Sequence, residues 1–115
     1  MKYALVIIET DESRRAIGRD RAGHRQAIAD WMVEQGQAGI LVDGQAFETE
    51  SVPPVTVRKT ANREVSVVHE PFAGEHETLG GYAVIEAATM EEAVKAASSW
   101  PTPETIEIRP IWTQG

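Results

Sequence analysis

The chain has no cysteine, which excludes a disulfide framework, a thiolate metal site and a cysteine nucleophile. Stability must come from packing, and nothing requires an oxidising compartment. A spanning segment is missing too. The apolar stretch in MKYALVIIE ends at Glu9, far short of the roughly 20 residues a bilayer-crossing helix needs, and no signal-peptide cleavage pattern follows. It reads as a buried strand of a cytoplasmic protein with no membrane partner. Positive charge is in short supply, with 11 Lys and Arg against 18 Asp and Glu and a formal net charge of -7. Such a chain repels a phosphate backbone, which argues against nucleic acid as a partner. The chain also lacks a dinucleotide fingerprint and a Gly-x-Ser-x-Gly elbow. Gly80-Gly81 is no phosphate loop, since a strand rather than a helix follows it and no Lys-Ser/Thr step is present. No cofactor is implied.

What is present suits one domain over residues 1–115, long enough to bury roughly two thirds of the surface its unfolded form exposes. The scarce basic residues are concentrated: Arg14, Arg15, Arg19, Arg21 and Arg25 fall within twelve positions, a local anion-attracting patch on an acidic chain. Residues 3–8, YALVII, are apolar on both pleat faces, so the strand they form has to be covered on both sides. The polar stretch from Thr10 to Gly18 reads as a loop or a ragged first turn. From about Asp20 to Gln35 a helical period places Ile17, His24, Ile28, Trp31 and Gln35 in one narrow arc, so this helix aims His24 at whatever it packs on. Gly36 and Gly39 are stop signals. ILVDGQAF is a second strand, in which Gly44 marks a bulge or bend.

VTVRK and EVSVVHE alternate about a turn at Thr60 to Arg63, a β-hairpin pattern. A loop is expected from Pro71 to Gly81, then the strand YAVIEA. Thr89 heads a capping box with Glu92, in front of an apolar helical face of Met90, Ala93, Val94 and Ala97. Pro101 and Pro103 stop that helix, and TIEIRPIW is the last strand. The order predicts an α+β, ferredoxin-like βαββαβ unit with an inserted β-hairpin. Two helices cover one face of such a sheet. The other face needs a second layer, which predicts a homodimer packed sheet to sheet.

The stretch His69 to Ala87, HEPFAGEHETLGGYAVIEA, resembles the YCII-related proteins, and within them the branch named for its DGPFAETKE signature, whose members read close to DGPFAETKEQLGGFYLIE. Pro71, Phe72, Ala73, Glu77, Leu79, Gly80, Gly81, Tyr82, Ile85 and Glu86 fit that pattern. His69, Glu70, Gly74, Glu75 and His76 depart from it. The resemblance implies the dimeric α/β-barrel superfamily and a family of mostly unassigned activity. RAGHRQAI is similar to the Arg-x-x-His step of that family, matched by Arg21 and His24, in which the His pairs with an Asp in a cleft. The Asp should lie near the end of the second helix, where this chain reads SSWPTP, so the pair is expected to be broken.

His24 is the candidate catalytic residue. Nearby Arg21 and Arg25 and the helix N-terminus disfavour an imidazolium, leaving a ring able to take a proton. The structural alternative is a core or interface histidine. Arg21, His69, Phe72 and Tyr82 are the candidate ligand-binding residues, with packing as the alternative role for the two aromatics. His69 and His76 among Glu70, Glu75 and Glu77 read as a solvated acidic loop rather than a metal site.

Two functions from different classes follow. The first is a cleft by the first helix that binds a small, anionic organic molecule, with His24 as base and Arg21 as anion partner in a lyase-, isomerase- or hydrolase-like step. The second is a non-catalytic regulatory or interaction module associated with an extracytoplasmic-function sigma factor, which the resemblance and the missing acid suggest.

Overall fold

The computed structural model describes residues 1–113. Strand β1 (Lys2–Thr10) leads into two consecutive helices, α1 (Asp11–Arg19) and α2 (Arg21–Gln37), and then β2 (Leu41–Ala46). A short antiparallel pair, β3 (Thr56–Lys59) and β4 (Val65–Val68), precedes β5 (Glu77–Glu86), α3 (Met90–Ser98) and β6 (Thr105–Pro110). The main sheet has the order β2-β5-β1-β6 with every neighbouring pair antiparallel, an arrangement consistent with a ferredoxin-like fold.

The stretch expected as a loop after β1 is the helix α1. Its start signal is a capping box built on serine: Thr10 Oγ1 accepts from Ser13 N at 3.1 Å, and Ser13 Oγ accepts from Thr10 N at 2.7 Å. The two side chains thus serve one otherwise orphaned amide each, and the buried Ser13 fills the role usually given to Glu or Gln. Asp20 separates the helices. It leaves helical geometry (φ −155°, ψ 77°), and its side chain then caps α2 through Gly23 N at 2.9 Å. His24 therefore lies within the first two turns of α2. That helix continues through Gly36 to Gln37 and is stopped by Gly39, whose φ of +75° suits only glycine without strain.

Alternation along β1 buries Tyr3, Leu5 and Ile7 against Trp31 of α2, Ala93 of α3 and the paired Ala83 and Ile85 of β5. Leu5 and Ile85 are fully buried, each stabilising by about 1.5–3 kcal/mol relative to exposure. The opposite face carries Ala4, Val6, Ile8 and Val84, all half-buried.

Strand β5 begins at Glu77, five residues earlier than its apolar pattern suggests, and Gly80-Gly81 lie inside it. Opposite β1, Ile7 pairs with Gly81 and Ile8 with Leu79, so Gly80 is the extra residue of a bulge. Gly81 packs so close to β2 that a Cβ there would stand 2.5 Å from the Gln45 carbonyl oxygen. In β2 the register shift falls between Leu41 and Asp43 rather than at Gly44. Gly44 instead leaves room for Met32, whose methyl would be 3.0 Å from an added Cβ.

Candidate active site

Helix α2, the inner face of β1, the bulge of β5 and the segment after β2 enclose a cleft of about 700 Å³. His24 enters it from α2. Its Nε2 lies 2.6 Å from Glu104 Oε1, and the two side chains are only 15% and 2% exposed. Glu104 stands between Pro103 and the first residue of β6, where it can reach back under α2 although it belongs to no helix. Its second oxygen is fixed by Trp100 Nε1 at 2.9 Å and by the Thr102 hydroxyl at 2.5 Å. Trp100 in turn stacks edge-on against Trp31, centroids 5.0 Å apart, and Trp31 Nε1 donates to Ser99 Oγ at 2.9 Å.

The expectation of a broken pair is therefore wrong. The carboxylate that orients His24 is Glu104, beyond the SSWPTP segment rather than within it. The missing acid was also the residue-level support for the alternative of a regulatory module, and that support falls away.

Burial opposes ionisation of Glu104, but the hydrogen bonds from Thr102, His24 and Trp100 outweigh it and hold the carboxyl below its usual range. An ionised carboxylate only accepts, so His24 Nε2 carries a proton, and in the neutral form of the ring Nδ1 is the nitrogen with the lone pair. The geometry thus provides a nitrogen base whose conjugate acid is compensated by a buried carboxylate.

The remaining expected residues divide into two groups. Arg21 and Tyr82 border the cleft with His24, whereas His69 and Phe72 are not among its lining residues. Phe72 is exposed and sits beneath the Arg58 guanidinium, 5.2 Å from ring centroid to Cζ. The Tyr82 hydroxyl donates to Asp43 Oδ2 at 2.9 Å, a bond that raises its pKa. Arg21 pairs with Glu50 at 3.1 Å, and Arg25 pairs with the same carboxylate oxygen. His76 bonds to Asp11 Oδ2 at 2.8 Å, and Arg14 donates twice to the Glu75 carbonyl at 2.7 and 2.5 Å. The loop before β5 is thereby clamped onto α1. Among the described residues no group of three or more His, Asp or Glu side chains could hold a metal ion.

One further acid lines the cleft. Glu9 continues the inward row Tyr3, Leu5, Ile7 and is only 9% exposed. Burial raises its pKa, against a bond from Thr49 Oγ1 at 3.3 Å that lowers it. It was legible in the strand's alternation but reads at first sight as the polar end of an apolar run.

Fold and site together define a small α+β protein with an open cleft and a part-buried His–carboxylate pair in its wall. The model of the YCII-related domain matches residues 1–114, and the chain belongs to that family. No curated protein matches it significantly. Among the described residues no helix is long and apolar enough to cross a membrane.

Proposed function

We propose that the cleft binds a small anionic organic molecule and transfers a proton to or from it, with His24 as the base. The observation that carries this reading is the part-buried His24–Glu104 pair at the wall of the cleft. His24 Nδ1 takes the proton, and Glu104 stabilises the imidazolium so formed. Arg21 and Arg25 hold the ligand's anionic group, which displaces Glu50 from the two guanidiniums. Glu50 itself illustrates the fit, because one carboxylate spans both arginines. Trp100 lines the cleft and serves as an intrinsic reporter. Titrating a panel of small mono- and dicarboxylates should quench its fluorescence, with binding weakened by about tenfold or more in Arg21→Ala and tightened in Glu50→Gln, which frees the arginines. An affinity unmoved by either change would remove the arginines from the binding role.

Within the family, the Pro71-Phe72-Ala73 and Leu79-Gly80-Gly81 steps favour the DGPFAETKE branch, and the functional unit is a homodimer. What supports the dimer is a half-buried apolar sheet face of Ala4, Val6, Ile8 and Val84 opposite the helices. The chain is also thin for its length, with a radius of gyration of 15.8 Å and a shortest extent of 18 Å, against a radius of about 13 Å for a compact globule of this size. The β3–β4 pair, which exposes Val57, Val65 and Val67, is too small a ribbon to be stable alone in water. Val6→Lys should convert the dimer to monomer in sedimentation at micromolar concentration, and wild-type protein sedimenting as a monomer would overturn the assignment.

A further inference from the structure

We propose that Glu9 is the proton donor of the cleft, acting with the His24–Glu104 base as the acid half of a two-group proton-transfer site for small carbonyl compounds with an acidic C–H bond. The assignment builds on His24 as base and names the substrate class.

Among the described residues Glu9 makes no salt bridge, although Arg14 and His24 border the same cleft and act on it through their charge. It projects from the inward row of β1 into the same cleft as His24 and Glu104. The Thr49 hydroxyl is its one hydrogen-bond donor among the described residues, and it is distant, at 3.3 Å. Arg14, also at the cleft, spends both terminal nitrogens on the Glu75 carbonyl. A structural carboxylate this buried is ordinarily paired. The bulge in β5 makes the space: a Cβ on Gly80 would stand 2.9 Å from Glu9 Cγ and 3.0 Å from Oε2. Glycine inside a strand is unfavourable, so this one is explained by the carboxyl it accommodates.

The charged groups acting on Glu9 are Arg14 of α1, His24 of α2 and Glu104 ahead of β6. Desolvation and the Glu104 carboxylate raise its pKa, while the Thr49 bond, Arg14 and His24 lower it, and the balance is upward. A raised value keeps more of the neutral acid present as pH approaches neutrality, which is the form able to donate. Glu104, by contrast, is held ionised by its three donors. Two carboxyls on one cleft thus have their pKa values pushed in opposite directions, the pattern that separates an acid from the partner of a base.

The step balances without a further reactant. His24 Nδ1 takes a proton from the carbon beside a carbonyl, and the C–H electron pair becomes the C=C bond. The carbonyl π pair takes the proton of Glu9, giving an enol, a Glu9 carboxylate and an imidazolium compensated by Glu104. Reversal after exchange of the imidazolium proton with solvent returns the ketone with a solvent hydrogen on carbon.

The test is deuterium uptake at C3 of pyruvate and 2-oxobutyrate in D₂O, followed by proton NMR, with binding read from Trp100 fluorescence. Wild-type protein should accelerate exchange over buffer, and Glu9→Gln should lose about a hundredfold of that acceleration while the ¹⁵N signature of His24 stays unchanged. In parallel, the Glu9 carboxyl carbon, assigned by its loss in Glu9→Gln, should titrate above the ordinary glutamate range. Exchange in Glu9→Gln at the wild-type rate, or a Glu9 carbon titrating in the ordinary range, would overturn the donor role and leave His24 as base. Probes that bind without exchange in wild-type protein would overturn it too, leaving the cleft as a binding site. Wild-type protein that neither binds the probes nor any carboxylate of the panel would remove the parent reading as well.

Discussion

Glu104→Gln is expected to remove the base function proposed for His24 while leaving the chain folded. Glutamine matches glutamate in shape, but its two ends differ. Thr102 and Trp100 both donate to Oε2 in the wild type, so the amide oxygen of the variant turns toward them and its NH₂ faces His24. Nε2 of the imidazole must then accept rather than donate, which moves the ring proton to Nδ1 and occupies the lone pair the cleft uses. The imidazolium also loses its compensating charge. Proton transfer should fall by about 10²–10⁴-fold, and ¹⁵N-correlated NMR should show the protonated ring nitrogen exchanged between the two positions.

Stability should fall by about 1–3 kcal/mol near neutral pH, because bonds to an ionised acceptor become bonds to a neutral amide. The sign of the pH dependence is fixed by the direction of the shift. Glu104 has its folded pKa lowered from 4.5, so its contribution is fully present above that value and is lost as pH falls through the folded one. Urea midpoints of wild type and variant should therefore differ at pH 7 and converge in strong acid. A tautomer unchanged by the substitution would remove Glu104 as the group that orients the ring.

Why the sequence hid this acid is a matter of chain geometry. His24, Ile28, Trp31 and Gln35 were legible because helical periodicity converts spacing into direction, and all four are at least half-buried on α2. Glu104 follows two prolines and lies just ahead of β6, on the same alternating row as the half-buried Ile106 and Ile108, but resemblance pointed to an aspartate several residues earlier. Its place in that row and its isolation, a lone carboxylate ahead of an apolar strand, marked it. Helix α1 was missed for a related reason. Its buried face is small and polar at Ser13, and the residue that completes its capping box is that serine rather than the usual Glu or Gln. The cap of α3 was read correctly in kind, with Thr89 accepting from Glu92 N at 3.2 Å, although Glu92 reaches back to the amide of Ala88 and not to that of Thr89. Gly80-Gly81 suggested a turn because glycine most often marks one. Here both lie in a strand, one beneath a carboxyl and one against a neighbouring backbone, and crowding of that kind is decided by tertiary neighbours.

Trp31→Ala should cause the largest loss of stability, because one side chain joins the core to the site. Trp31 lies two helical turns beyond His24 on α2, is 4% exposed and packs in the cluster of Tyr3, Leu5 and Ile85. Truncating it removes the transfer energy of an indole and leaves a cavity, a cost of about 3–5 kcal/mol. That is a large share of the roughly 5–15 kcal/mol available to a domain, and the Tm should fall by about 15–25 °C. The damage should also reach the cleft. Trp100 loses the ring it stacks on, and Trp100 is one of the two donors that fix the outer oxygen of Glu104. Trp31→Phe separates the two effects. It keeps an aromatic ring beside Trp100 and gives up the bond to Ser99 Oγ, at about 1 kcal/mol for the bond alone, so the His24 tautomer should remain as in the wild type. A Trp31→Ala protein with the wild-type urea midpoint would show that the core does not depend on this ring. One that loses stability yet keeps the wild-type His24 signature would show that Thr102 and His24 hold Glu104 without help from the stacked indoles.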